Sequence, residues 1–138
     1  MKKLLYQTSQ YFNEDIRLYG CLFISLYYWS PVSHSYSELN AIWDSLKDAK
    51  AINSDCVIVD YAKVLSALGI DADYREGHWA PDTPVAENQF AVGEFYWKTA
   101  HFSPVSRNKK LIYVVKPDSS TIRYGTLRTL RIFTWRNK

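Results

Sequence analysis

The sequence predicts an α+β domain in which N-terminal helices pack on an antiparallel sheet. Apolar residues recur at helical spacing as far as Gly69, and beyond it the period falls to two. No linker, internal repeat or low-complexity tract divides the 138 residues, a length suited to one domain with its own core. The chain is 47% hydrophobic and 16% aromatic, with eleven Tyr and five Trp, so most rings are expected to fill that core.

Residues 20–30 are apolar nearly all round, as in a central buried helix, and Pro31 stops it. After the polar turn at 32–35, Ser35 and Glu38 have capping-box spacing. Leu39, Ile42, Trp43, Leu46 and Ala49 then recur at three and four, which predicts an amphipathic helix over 36–50. Asn53, Ser54 and Asp55 supply another cap region. Val57, Tyr61, Val64, Leu65 and Leu68 form the next stripe, and Gly69 stands at its stop. A short strand over 70–75 and a loop over 76–88, with Pro81 and Pro84, follow. Residues 89–97 alternate as a strand, with Gly93 placed for a bulge. Residues 101–105 form a short strand and 107–110 a hairpin turn. The β-branched and aromatic run 111–115 reads as a central strand, and strands over 121–124 and 127–135 meet near Gly125.

The formal net charge is +3, and Arg107, Lys109, Lys110, Lys116, Arg123, Arg128, Arg131, Arg136 and Lys138 gather late in the chain. They read as solvated strand faces and a loop tip, or as attraction to an anionic polymer such as cell-wall material or nucleic acid. No basic helix or nucleic-acid motif supports the second reading. The start, Met1-Lys2-Lys3-Leu4-Leu5, resembles a signal peptide only briefly, because Gln7, Thr8, Ser9 and Gln10 end the apolar run. The apolar run 18–29 is too short to span a bilayer. A soluble cytoplasmic protein without membrane attachment is expected. Two cysteines make no disulfide framework, and three scattered histidines have no zinc-ligand spacing, so neither metal nor cofactor is expected.

Cys21 follows Gly20 at the head of the buried helix, where the helix dipole favours a thiolate. Taken alone it also reads as a small buried hydrophobe. Cys56 reads as structural, since the neighbouring Asp55 raises a thiol pKa. His34 lies in a polar turn and His78 in a loop, both as ordinary surface residues. His101 begins a strand between Ala100 and Phe102, from which an imidazole points towards another layer. Asp118 reads as a turn residue in Pro117-Asp118-Ser119, or as the group that orients His101. A hairpin over 101–118 brings its two ends side by side, which makes Asp118 and His101 neighbours. Acyl transfer also needs oxyanion donors. The backbone N–H of Cys21 and the side-chain amide of Gln10 are the candidates, with Gln7 and Asn13 as alternatives.

The order Gln10, Gly20-Cys21, His101-Phe102 and Asp118 resembles the papain-like cysteine peptidase superfamily. It is most similar to compact bacterial members related to the leader-peptide-cleaving domains of bacteriocin exporters. The segment 11–21 also resembles a bacterial, partly phage-associated family of unknown function. The peptidase resemblance implies a papain-like fold and a Cys21–His101–Asp118 triad with Gln10 at the oxyanion. It implies a peptide or cell-wall peptide substrate, in a groove that Trp29, Trp79 and Trp97 would line. Leu22 departs from the small residue usual after the nucleophile, and Pro104 interrupts the histidine strand. An inactive papain-like binding or scaffold module is the alternative, because fold does not fix function.

Overall fold

The computed structural model describes residues 4–137, so the first three residues of the signal-like start and the Lys138 charge lie outside the described residues. The chain runs α1 (Glu14–Tyr19), α2 (Cys21–Tyr28), α3 (Tyr36–Asp48), α4 (Tyr61–Ala67), β1 (Ala72–Trp79), β2 (Gln89–Trp97), β3 (Thr99–Val105), α5 (Ser120–Tyr124) and β4 (Thr126–Trp135). The strands form one antiparallel sheet in the order β1-β4-β2-β3. The helices pack on this sheet, which is the predicted α+β arrangement. No helix among the described residues is long and apolar enough to cross a membrane.

Local chemistry explains the helices. The Ser35 side chain accepts from the Glu38 N–H and the Glu38 carboxylate accepts from the Ser35 N–H, so the predicted capping box opens α3. At its other end Lys50 stands at φ 61° while the Ala51 N–H reaches the Leu46 carbonyl at 2.9 Å. The same left-handed stop closes α4: Gly69 has φ 77° and the Ile70 N–H reaches the Leu65 carbonyl at 2.8 Å. In α2, Phe23, Ile24, Leu26 and Tyr27 are all buried, as an apolar periphery requires, and Phe23 meets Trp43 of α3 edge-to-face at 5.2 Å. The main core lies between the helices and one sheet face, and Ala91, Val105, Leu130 and Ile132 form a smaller cluster.

Several elements differ from the sequence reading. Helix α1 is additional: Asn13 caps it by accepting from the Ile16 N–H at 3.2 Å, and Ile16 is fully buried. The third predicted helix begins later. Asn53 accepts from the Asp55 and Val57 N–H groups and closes a turn beneath an Ile52–Ile58 bridge; Asp60 is the cap that starts α4, and Val57 is exposed. Strand β1 begins at Ala72 and continues through Trp79 into the expected loop, with an irregular register between Arg75 and Trp79. Gly93 is no bulge, since the register shift falls between Glu94 and Phe95; a Cβ at Gly93 would lie 2.7 Å from Leu127 Cδ1.

The run 111–115 is extended but is no central strand. The Ile112 N–H donates to the Pro104 carbonyl at 3.0 Å, and proline has no N–H with which to return the bond. Only the bridge between Val105 and Leu111 survives, and the central strands are β4 and β2. Residues 121–124 belong to helix α5, because the Ser119 hydroxyl accepts from the Ile122 N–H and caps it.

Candidate functional site

Gly20 closes α1 through its N–H to the Ile16 carbonyl at 2.8 Å and opens α2 by accepting from the Ile24 N–H at 2.9 Å. Its φ is −88°, so no left-handed turn requires a glycine there. The requirement is space: a Cβ would lie 2.6 Å from the Ile16 carbonyl oxygen. Two helices therefore meet at one residue, and Cys21 becomes the first residue of α2. No side chain caps this end. The first N–H groups of α2 remain available, and the backbone at Cys21 and Leu22 favours the Cys21 thiolate.

Strand β3 contributes as well. The Pro104 carbonyl points away from β2 towards Ile112, so by alternation the backbone groups of Phe102 also point outward. Backbone at Phe102 likewise favours the Cys21 thiolate. These backbone groups and the Lys116 ammonium favour the thiolate, but burial outweighs them and holds the Cys21 thiol above its ordinary pKa. The helix-terminal pull read from the sequence is therefore present and is overridden.

His101 is buried, and its Nε2 has no hydrogen-bond partner among the described residues. Burial, reinforced by Lys116, pushes its pKa down to about 4, while the Asp118 carboxylate pulls weakly upward. The imidazole is neutral at pH 7. Register places His101 opposite Phe95, on the sheet face of Ser103 and Val105, whereas Phe102 belongs to the helix-side core. Because β3 is an edge strand, a cavity wrapping that edge is bordered by both Phe102 and His101. This cavity, of about 530 Å³, has Cys21 and His101 in its walls. No hydrogen bond joins the two side chains among the described residues, nor does one join His101 to Asp118.

Asp118 is exposed beside a separate hollow with Pro117 and Ser119, and acts on His101 electrostatically. Gln10 sits exposed in the tight turn before α1 and does not line the cavity. Gln7 is buried but donates to the Arg17 carbonyl at 3.1 Å, and Asn13 is occupied as the α1 cap. The predicted side-chain amides are thus not at Cys21, and what favours its thiolate there is backbone and the Lys116 ammonium. Trp29, Trp79 and Trp97 do not line this cavity. Trp29 stacks on Phe90, Trp79 lies beneath Arg75, and Trp97 rests on Tyr124, while the buried Trp43 contributes to the wall.

His34 is half-buried, and its N–H donates to the Tyr27 hydroxyl at 2.7 Å. His78 is exposed on β1 and borders the cavity. Cys56 borders it too, at φ 63°, with Lys47 Nζ 3.5 Å from its sulfur. The sequence reading placed Lys116 and Arg131 among solvated strand faces or a polymer-binding cluster and gave Lys47 no role; Arg131 is instead buried. The late basic cluster was the one available signal for the first two. No group of three or more metal-ligating side chains occurs among the described residues.

The fold and site define an α+β protein with a helix-borne cysteine opening on a histidine-bordered cavity. The chain belongs to the family described as protein of unknown function, DUF261, whose model matches residues 1–135. No curated protein matches the chain. No solved structure matches it.

Proposed function

We propose that this protein is a papain-like cysteine peptidase or amidase that cleaves a peptide or cell-wall peptide bond, with Cys21 as nucleophile. The observation that carries the reading is the position of Cys21. It is the first residue of an uncapped helix, in a cavity shared with His101, and the backbone around Phe102, Leu22 and Cys21 itself favours its thiolate. A neutral imidazole is the form able to accept a proton. On this reading His101 removes the Cys21 proton as the sulfur attacks the amide carbonyl. The C–N bond breaks, His101 protonates the leaving amine, and water hydrolyses the thioester. Asp118 steadies the imidazolium during the reaction. The uncapped N–H groups at the head of α2 hold the developing oxyanion. The raised thiol pKa makes proton transfer concurrent with attack, in place of a resting thiolate–imidazolium pair.

A second reading, an inactive papain-like binding or scaffold module, is favoured by that same resting state of neutral thiol and neutral imidazole. Iodoacetamide labelling of wild type and His101→Ala across pH, read at each cysteine by peptide mass spectrometry, separates the two. The active reading predicts that His101→Ala slows Cys21 labelling below pH 8 by about tenfold or more and leaves Cys56 unchanged. Equal Cys21 rates in both proteins exclude His101 as the base and leave the binding module.

A further inference from the structure

The cavity beside Cys21 contains a cation that the proposed cleavage chemistry does not use. Arg131 of β4 is buried at 5% exposure, and its Nε has no hydrogen-bond partner among the described residues. Its neighbouring carboxylate, Glu94, is already engaged. Glu94 Oε1 is held by Arg128 Nε at 3.2 Å and by the Thr129 hydroxyl at 2.9 Å, whereas Arg131 approaches Oε2 only to 4.0 Å. Arg131 also donates to the Thr129 hydroxyl at 2.9 Å, acts on the Tyr61 hydroxyl, and lies 5.2 Å over the Phe102 ring, so its other partners are neutral. Two guanidinium groups therefore share one carboxylate. Arg128 is half-exposed and solvated, so the uncompensated charge falls on the buried partner. A buried guanidinium with a weak counter-ion and an unused donor is costly unless an anion completes it.

The surroundings fit an anion. Lys116 also borders the cavity, and its ammonium acts on both Cys21 and His101. The Asp55 carboxylate is exposed. Tyr61 and Phe102 supply aromatic walls, and a volume of about 530 Å³ is in the range of small-ligand sites.

We propose that this cavity binds a carboxylate, held by Arg131 and Lys116, and that the group acted on at Cys21 belongs to a carboxylate-bearing acyl substrate. The identification of the substrate rests on Cys21 being the nucleophile; the preference of the cavity for an anion does not. Specificity would then come from β4 and the 116 region, while reaction occurs at α2.

Two alkylators of nearly equal size report the charge preference directly. Iodoacetate is anionic and iodoacetamide neutral, and both transfer a two-carbon group to the thiolate with loss of iodide. The measured quantity is the ratio of their rates at Cys21 in the folded protein, divided by the same ratio for the chain unfolded in urea. An anion-binding cavity raises this quotient to about tenfold. Arg131→Gln lowers it by about threefold or more, Arg131→Lys retains it, and Lys116→Gln lowers it even if Arg131→Gln does not fold. A quotient of one overturns the proposal, and a Cys21 unreactive to both reagents overturns its assignment of the substrate. The iodoacetamide pH profile of His101→Ala tests the nucleophile separately, so a raised quotient with an unaltered profile refutes the peptidase reading and leaves the anion site standing.

Discussion

Replacing Gly20 by alanine sets two effects of opposite sign against each other. At φ −88° and ψ 14° an alanine is sterically allowed by the local backbone. If backbone freedom were all that mattered, the substitution would restrict the unfolded chain and stabilise the protein by about 0.4–1 kcal/mol. The tertiary environment opposes this. The added Cβ would lie 2.6 Å from the Ile16 carbonyl oxygen, 2.9 Å from Ile16 Cγ2 and 3.0 Å from Ile16 Cα. That carbonyl is fixed by the Gly20 N–H at 2.8 Å, and Ile16 is fully buried, so the methyl group must push α1 away from α2. Overpacking of this kind costs about 1–3 kcal/mol, which leaves a net loss of about 1–2 kcal/mol. For a domain of this size the loss lowers Tm by roughly 3–7 °C. Urea unfolding and thermal melts of wild type and Gly20→Ala measure it. An unchanged or raised Tm would show that Ile16 yields freely, and would refute close approach as the reason for a glycine before Cys21.

Lys50→Gly relieves a lysine held at φ 61° at the end of α3, and is expected to raise stability by about 1 kcal/mol in urea unfolding. No gain would mean that the lysine side chain contributes as much as its backbone costs. Acidification tests the buried imidazole. The folded pKa of His101, about 4, lies below the ordinary value of 6.5, so the unfolded chain binds more protons between them. The corresponding stability is fully present above pH 6.5 and is lost as pH falls through 4, by up to about 3 kcal/mol. Urea midpoints for wild type and His101→Gln should diverge over that window, with the variant less sensitive; parallel curves would show that His101 titrates normally.

Much of the helical half was legible because its signals are local. Ser35 with Glu38, and Gly69 after Leu68, act over three or four residues, and both appear in the structure in the predicted roles. The strand at 89–97 matched because its apolar residues 90–92 are buried on both faces of a central strand. Misread segments were those where a partner decides the outcome. The run 111–115 has strand composition, yet Pro104 denies it a continuous ladder. Residues 121–124 are β-branched and aromatic in part, yet the Ser119 cap turns them into a helix.

The sequence by itself determined that an N-terminal run of helices precedes the first strand of an antiparallel sheet and that Cys21 heads the most apolar helix, since periodicity and capping are properties of neighbouring residues. Only the tertiary structure decided the electrical character of the site. Burial raises the Cys21 thiol and lowers the His101 imidazole, Lys116 acts on both, and Arg131 enters the cavity from a strand remote in sequence. Desolvation and Coulomb interactions depend on what is packed around a charge in three dimensions, and sequence spacing does not encode that environment.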